Sequence, residues 1–176
     1  MSRLFIAIPL SDEVKARLAT YRPARSPLVR PVREAHLHVT LRFVGEGQPE
    51  ALHAALETVR GTSFTLKGTR LGVFGAHRGH GVLWAGVERS EPLTALHQAI
   101  ETALEEIGYP PEKRAFSPHI TLARLRRGDT KALVAAFLAQ ESAAWEMEVD
   151  AFCLFSSRLR PQGPLHSMIG RYRLDR

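Results

Sequence analysis

The sequence holds a single cysteine, Cys153, among 176 residues. An intramolecular disulfide is therefore impossible, and a cysteine-rich zinc site is excluded. Long apolar runs are missing too. Stretches such as Leu4 to Leu10 are interrupted or end within a few residues, far short of the ~20 that a spanning helix needs. The opening residues form too short an apolar segment for a secretory signal and lack a small-residue cleavage site behind it. The expected compartment is the cytoplasm, with no membrane partner. No stretch reads G-x-x-x-x-G-K-[ST] or G-x-G-x-x-G, so the phosphate-cradling nucleotide folds lack their signature. Low-complexity segments and linkers between independent cores are absent as well. At 44% hydrophobic and 24% charged, the chain can bury a proper core, and residues 1–176 are expected to form one domain.

What is present begins with charge. The chain carries 24 basic and 18 acidic residues, a formal surplus of +6 that is mostly arginine. Arginine's planar fork suits phosphate esters and nucleic acid, though a solvated arginine-rich surface would look the same in composition.

Leu4 to Ile8 reads as a strand closed by Pro9, and Ser11 caps a helix carrying Val14, Leu18 and Tyr21 at helical spacing. Pro23 to Pro31, with three prolines, reads as a loop. From Leu37 to Val44 the alternation is strict. Leu37, Val39, Leu41 and Phe43 fall on one face, and His38, Thr40 and Arg42 on the other. A helix with Leu52, Leu56 and Val59 follows, then strands over 64–74 and 81–88 that suit a hairpin, then a helix over 92–107. A short strand follows around His119, and Asp129 is placed to cap a helix ending near Leu138. The chain closes with strands over 145–155 and 165–174, separated by a loop at 158–163. Helix, H-x-T-L strand and helix occur twice, which predicts an α+β fold of two similar halves with largely antiparallel sheets.

The repeated motif carries the chemistry. His38-Val39-Thr40-Leu41 and His119-Ile120-Thr121-Leu122 lie 81 positions apart. A shuffled chain of this composition would hold about 0.06 copies of H-x-T-L, so coincidence explains two copies poorly. On a strand, the two-residue spacing puts histidine and threonine on one face. Two such strands side by side would aim two imidazoles and two hydroxyls into one cleft. Imidazole titrates near neutrality, so one ring can take a proton from a nucleophile while the other protonates a leaving oxygen. Threonine hydroxyls and an arginine can hold the non-bridging oxygens of a phosphate between them. The chemistry needs no cofactor.

The doubled motif resembles that of the two-histidine (2H) phosphoesterase superfamily. Arg3 to Ile8, Arg30-Pro31-Val32, Leu37 to Gly45 and Phe116 to Arg124 are similar to segments of the bacterial and archaeal RNA 2′,3′-cyclic phosphodiesterases, also described as 2′-5′ RNA ligases. The resemblance covers essentially the whole chain. It implies a bilobal fold whose two sheets face each other across the active cleft, with both termini in one lobe. It also implies hydrolysis of a 2′,3′-cyclic phosphate at an RNA end to a 2′-phosphate. His119 would be the general base on water and His38 the general acid on the departing 3′-oxygen. Thr40 and Thr121 would hold phosphate oxygens. A 5′-hydroxyl end attacking the cyclic phosphate would give a 2′-5′ linkage without ATP. Arg124 matches an arginine that touches the phosphate in that family, yet in a regular strand it points away from His119 and needs a bulge to swing inward. Arg42, in phase with His38 and Thr40, is the candidate that alternation alone selects.

Three other readings compete. A 2H phosphoesterase could act on another cyclic phosphate or a small nucleotide. The H-x-H at His36 and His38, with His77 and His80, invites a metal site, although no carboxylate stands at ligand spacing near either motif. A basic RNA-binding module without turnover would use Arg25, Arg30 and Arg33, or Arg124, Arg126 and Arg127. His53, His97 and His166 read as surface positions, Cys153 as a packed strand residue, and Phe5 as a core residue rather than a base-stacking one. A monomer is expected.

Overall fold

The computed structural model describes residues 2–76 and 80–176. Strand β1 (Ser2–Pro9) is apolar from Leu4 to Ile8, and all five of these residues are buried, as suits a strand covered on both faces. It lies inside a four-stranded antiparallel sheet, between β3 (His38–Gly45) and β8 (Ala151–Arg160), with β9 (Gly163–Arg173) at the far edge. A second, five-stranded sheet has the order β2 (Val29–Pro31), β6 (His119–Leu125), β5 (Gly81–Val87), β4 (Phe64–Phe74) and β7 (Glu146–Val149). Every strand pairing in both sheets is antiparallel. The first and last strands share one sheet, and each sheet contributes one H-x-T-L strand to the cleft between them.

Among the described residues, four α-helices cover the sheets: α1 (Asp12–Ala19), α2 (Pro49–Glu57), α3 (Glu91–Glu106) and α4 (Lys131–Leu138). Ser11 and Ser90 cap α1 and α3, each hydroxyl accepting an N–H three residues on at 3.3 Å. Leu93, Leu96, Ile100 and Leu104 form the buried stripe of α3. No helix among the described residues is long and apolar enough to cross a membrane.

Several local expectations shift. The proline loop ends in β2, where Pro31 is tolerated because the strand lies at the sheet edge. The single strand expected over 145–155 is two, β7 in one sheet and β8 in the other, parted at Asp150, so the chain changes lobes there. Residues 158–163 form the tip of a long β8–β9 hairpin rather than a free loop. The N-cap of α4 is Thr130, and Asp129 instead accepts the Lys131 N–H at 3.2 Å.

The strict alternation of β3 also breaks, and β6 breaks at the same place. Ile6 of β1 faces Arg42 while Ala7 faces Thr40, so Leu41 is an extra residue. In β6, Leu83 faces Ala123 while Trp84 faces Thr121, so Leu122 is extra. Each bulge reverses the facing of the residues that follow it, in β3 as far as Phe43, beyond which the register slips again at Val44. Arg42 and Ala123 consequently turn inward, at 8% and 0% exposure, and Phe43 turns outward at 49%.

The inward Arg42 enters a buried ion pair instead of the cleft. Its Nη1 donates to both carboxylate oxygens of Glu101 on α3 at 2.7 and 2.6 Å, and its Nη2 donates to the Pro110 carbonyl at 2.7 Å. Glu101 also accepts the Glu112 N–H at 3.2 Å. Removing Glu101 leaves the buried guanidinium with only the partly exposed Glu112 carboxylate, 3.6 Å from its Nε, as a counter-charge. Glu101→Ala is expected to cost roughly 3–5 kcal/mol in urea unfolding. Combining it with Arg42→Met should recover most of that loss, and strictly additive costs would contradict the pairing.

Candidate active site

His38 and Thr40 leave β3 on one face, and His119 and Thr121 leave β6 on one face. All four line a single cavity of about 300 Å³ together with Arg124. The two histidines are held by the same device. His38 Nδ1–H donates to the His36 carbonyl at 2.6 Å, and His119 Nδ1–H donates to the Ser117 carbonyl at 2.7 Å. A carbonyl can only accept, so Nδ1 carries a proton in both rings and Nε2 is left for the cleft. His38 Nε2 lies 3.0 Å from Thr40 Oγ1, a contact in which the hydroxyl donates to the neutral ring and accepts from the charged one.

Arg124 reaches the cavity because of the Leu122 bulge, which supplies the inward swing that a regular strand denies it. Arg42 does not reach it. The reversed phase after Leu41 sends that side chain to Glu101, behind the strand, so the selection of Arg42 by alternation is corrected. Arg25, Arg30 and Arg33 line the same cavity, whereas Arg126 and Arg127 are exposed away from it. The hairpin tip closes this end, where Gly163 sits at φ +116°, a conformation that favours glycine. A Cβ there would stand 3.1 Å from Arg30 Nη2, so the tip touches the opposite lobe.

His166 was not legible in the sequence. It sits on β9 opposite Ser157, and its ring stacks on His36 at 4.2 Å and meets His38 edge-on at 5.7 Å. Only the hairpin fold-back brings it there, and no local spacing announces it. Phe5 is buried at 4%, its ring 5.0 Å from that of His38 and stacked on Phe155 at 5.2 Å, so it is a wall of the site and not an open platform. His53 bonds Tyr172 Oη at 2.9 Å, and His97 stacks on Phe116 at 4.0 Å; neither lines the cavity.

Burial lowers the pKa of His38 most, with His36, Arg124 and His119 adding to the effect and the bond to the His36 carbonyl opposing it. Burial also lowers His166, to about 4, helped by His36 and His38. His36 is lowered by burial and by Arg33, Lys15 and Arg160. Burial pushes the Cys153 thiol up to about 11, which suits a packed strand residue rather than a nucleophile. Among the described residues, no group of three or more His, Cys, Asp or Glu side chains is placed to hold a metal ion. Of the other candidate ligands, His80 is exposed and His77 lies outside the described residues.

Comparison with known sequences and structures agrees with this architecture. The profile of the 2′-5′ RNA ligase superfamily matches residues 10–160, and the chain belongs to that superfamily. The RNA 2′,3′-cyclic phosphodiesterase of Thermotoga maritima is 31% identical over 95% of this chain and 92% of its own. That of Archaeoglobus fulgidus is 28% identical over 93% and 96%. Against the Geobacillus stearothermophilus protein of the same name, 27% identical, the chain spans about half the relative's length, 53%. Among solved structures, Escherichia coli LigT complexed with 3′-AMP superposes with a TM-score of 0.79 over 99% of both chains at 27% identity. The fold is therefore the bilobal two-histidine phosphoesterase fold.

The lowered pKa of His166 has a consequence for stability. Between pH 6.5 and about 4 the unfolded chain binds a proton at residue 166 that the folded chain does not, so stability falls as pH drops through that window. His166→Gln is expected to make the loss shallower in denaturant midpoints measured from pH 7 to pH 4. Parallel curves would count against a neutral, buried His166.

Proposed function

We propose that this protein hydrolyses 2′,3′-cyclic phosphate ends of RNA to 2′-phosphates without a metal ion, with His119 as general base and His38 as general acid. The observation that carries the reading is the convergence of both H-x-T-L strands on one cavity, each imidazole anchored through Nδ1 and presenting Nε2. Relatives of matching length bear the name RNA 2′,3′-cyclic phosphodiesterase, which supports the substrate class.

The reaction needs an in-line displacement at phosphorus. His119 Nε2 takes a proton from water as its oxygen attacks, the bond from phosphorus to O3′ breaks, and His38 Nε2–H protonates O3′. Thr40, Thr121 and Arg124 donate to the non-bridging oxygens, where charge is held. A neighbouring cavity of about 380 Å³ shares His38, Thr40 and Arg124 but not His119, and adds Arg3, Phe43 and Ser157. It lies on the leaving-group side and suits the terminal nucleoside. A 5′-hydroxyl in place of water gives a 2′-5′ phosphodiester by the same proton transfers. In this reading the protein acts as a cytoplasmic monomer, with residues 1–176 forming one domain. A site of this design accepts other cyclic phosphates, so the comparison of RNA with mononucleotide substrates decides specificity.

Phosphorus NMR of a cyclic mononucleotide and of a short RNA with a cyclic end, in EDTA, tests the reading. A 2′-phosphate product is expected, with kcat lowered about 10²–10⁴-fold in His38→Ala and in His119→Ala. Loss of turnover to EDTA with recovery on zinc or manganese would sink the metal-free reading. Binding of RNA without turnover would favour the binding module.

The pH dependence follows from the burial of His38. In the free protein its imidazolium is disfavoured, whereas bound phosphate supplies the opposite charge and raises its pKa. The descending limb of kcat should therefore lie at higher pH than that of kcat/KM. Coincident limbs would remove His38 from the acid role.

A further inference from the structure

The cleft face of the five-stranded sheet continues beyond His119. Trp84 pairs with Thr121 on one side and with Gly72 on the other. Its indole lies flat over the backbone, because a Cβ on Gly72 would collide with the six-membered ring and one on Gly86 would stand 3.2 Å from it. Two glycines thus seat one large aromatic side chain. Phe74, two residues beyond Gly72, is 41% exposed. Its ring lies 4.9 Å from that of Trp84 and stands perpendicular to His119 at 5.2 Å. The exposed Arg70 completes the group, its guanidinium 5.4 Å from the Trp84 ring centroid.

None of these side chains has a part in ring opening. A flat indole, an exposed phenyl ring and an arginine are the means by which sheet surfaces hold unpaired bases. Their position adds direction. In-line displacement puts the nucleophile opposite the leaving O3′, and this group flanks His119, while the cavity on the His38 side takes the nucleoside that keeps the phosphate.

We propose that Trp84, Phe74 and Arg70 form a stacking site for the 5′-hydroxyl nucleotide of a second RNA strand. The assignment rests on the ring-opening chemistry proposed above and names the second substrate of the joining reaction. The O5′ attacks phosphorus and its proton passes to His119 Nε2. The P–O3′ bond breaks and His38 supplies the proton to O3′. The strained ring drives the step, and no nucleoside triphosphate is consumed.

The test uses a donor RNA with a 2′,3′-cyclic end and an acceptor RNA with a 5′-hydroxyl and a blocked 3′ end. Wild type is compared with Arg70→Ala, Phe74→Leu and Phe74→Trp. Phe74→Leu keeps an apolar side chain against His119 and removes the flat ring. Cyclic mononucleotide hydrolysis and the KM for donor are expected to stay within about twofold. The acceptor's KM in joining, and its Kd by fluorescence anisotropy, should rise about tenfold or more in Phe74→Leu and recover in Phe74→Trp. A rise in the donor's KM instead, or equal loss of hydrolysis and joining, would overturn the assignment. Ring opening by a wild type that binds acceptor no better than Phe74→Leu would remove the site and leave the reaction standing. Acceptor binding that depends on Phe74, in a wild type that opens no ring, would remove the reaction and leave the RNA site standing.

Discussion

An extra residue directly after the threonine of each H-x-T-L strand decides what faces the cleft. Without the bulges at Leu41 and Leu122, alternation would send Arg42 and Ala123 toward the site, and Phe43 and Arg124 away from it. With them, each strand offers a histidine, a threonine two residues on, and a third side chain five residues on. That third position is where the two halves differ. One offers Phe43, half exposed and apolar, and the other Arg124, cationic. A repeated backbone device thus makes an asymmetric site, with one side suited to a base or ribose and the other to phosphate charge.

The same slip explains the least expected feature of the core. The reversed phase pushes Arg42 behind its strand, where a guanidinium is tolerable only with a full set of acceptors. Glu101 and the Pro110 carbonyl provide them, and both come from α3 or the loop after it. Glu101 also lies 3.9 Å from His97, whose ring stacks on Phe116, the residue before the Ser117 carbonyl that anchors His119. One face of α3 therefore contacts the surroundings of both H-x-T-L strands. The buried ion pair thus ties β3 to α3.

Much of this was legible from residue patterns, and the failures share a cause. The helices, the Ser11 cap, the hairpin of β4 and β5 and the two histidine strands follow from periodicity and turn residues, which are local signals. The bulges do not, because the alternating stretch Val39-Thr40-Leu41-Arg42-Phe43 reads the same whether or not its partner strand slips. The division of 145–155 into strands of different sheets escapes the pattern for the same reason, since pairing partners lie far away in the chain. His166 is the clearest case. It reaches the site only through the register of β8 with β9, and a lone histidine on an edge strand carries no mark of its destination.

The electrostatics of the cleft complete the argument for an anionic ligand. Three imidazoles, His36, His38 and His166, are crowded together, and Arg25, Arg30, Arg33 and Arg124 line the same cavity with no carboxylate among its walls. Burial and the neighbouring positive groups lower the pKa of all three, which disfavours their imidazolium forms in the free protein. A general acid that is neutral at rest is of no use until something restores its proton. A phosphate diester brings the negative charge that does so, at the place where the proton is needed. Substrate binding thus arms His38 in the proposed reaction. The burial that disfavours its charge in the free protein strengthens its interaction with the ligand once bound.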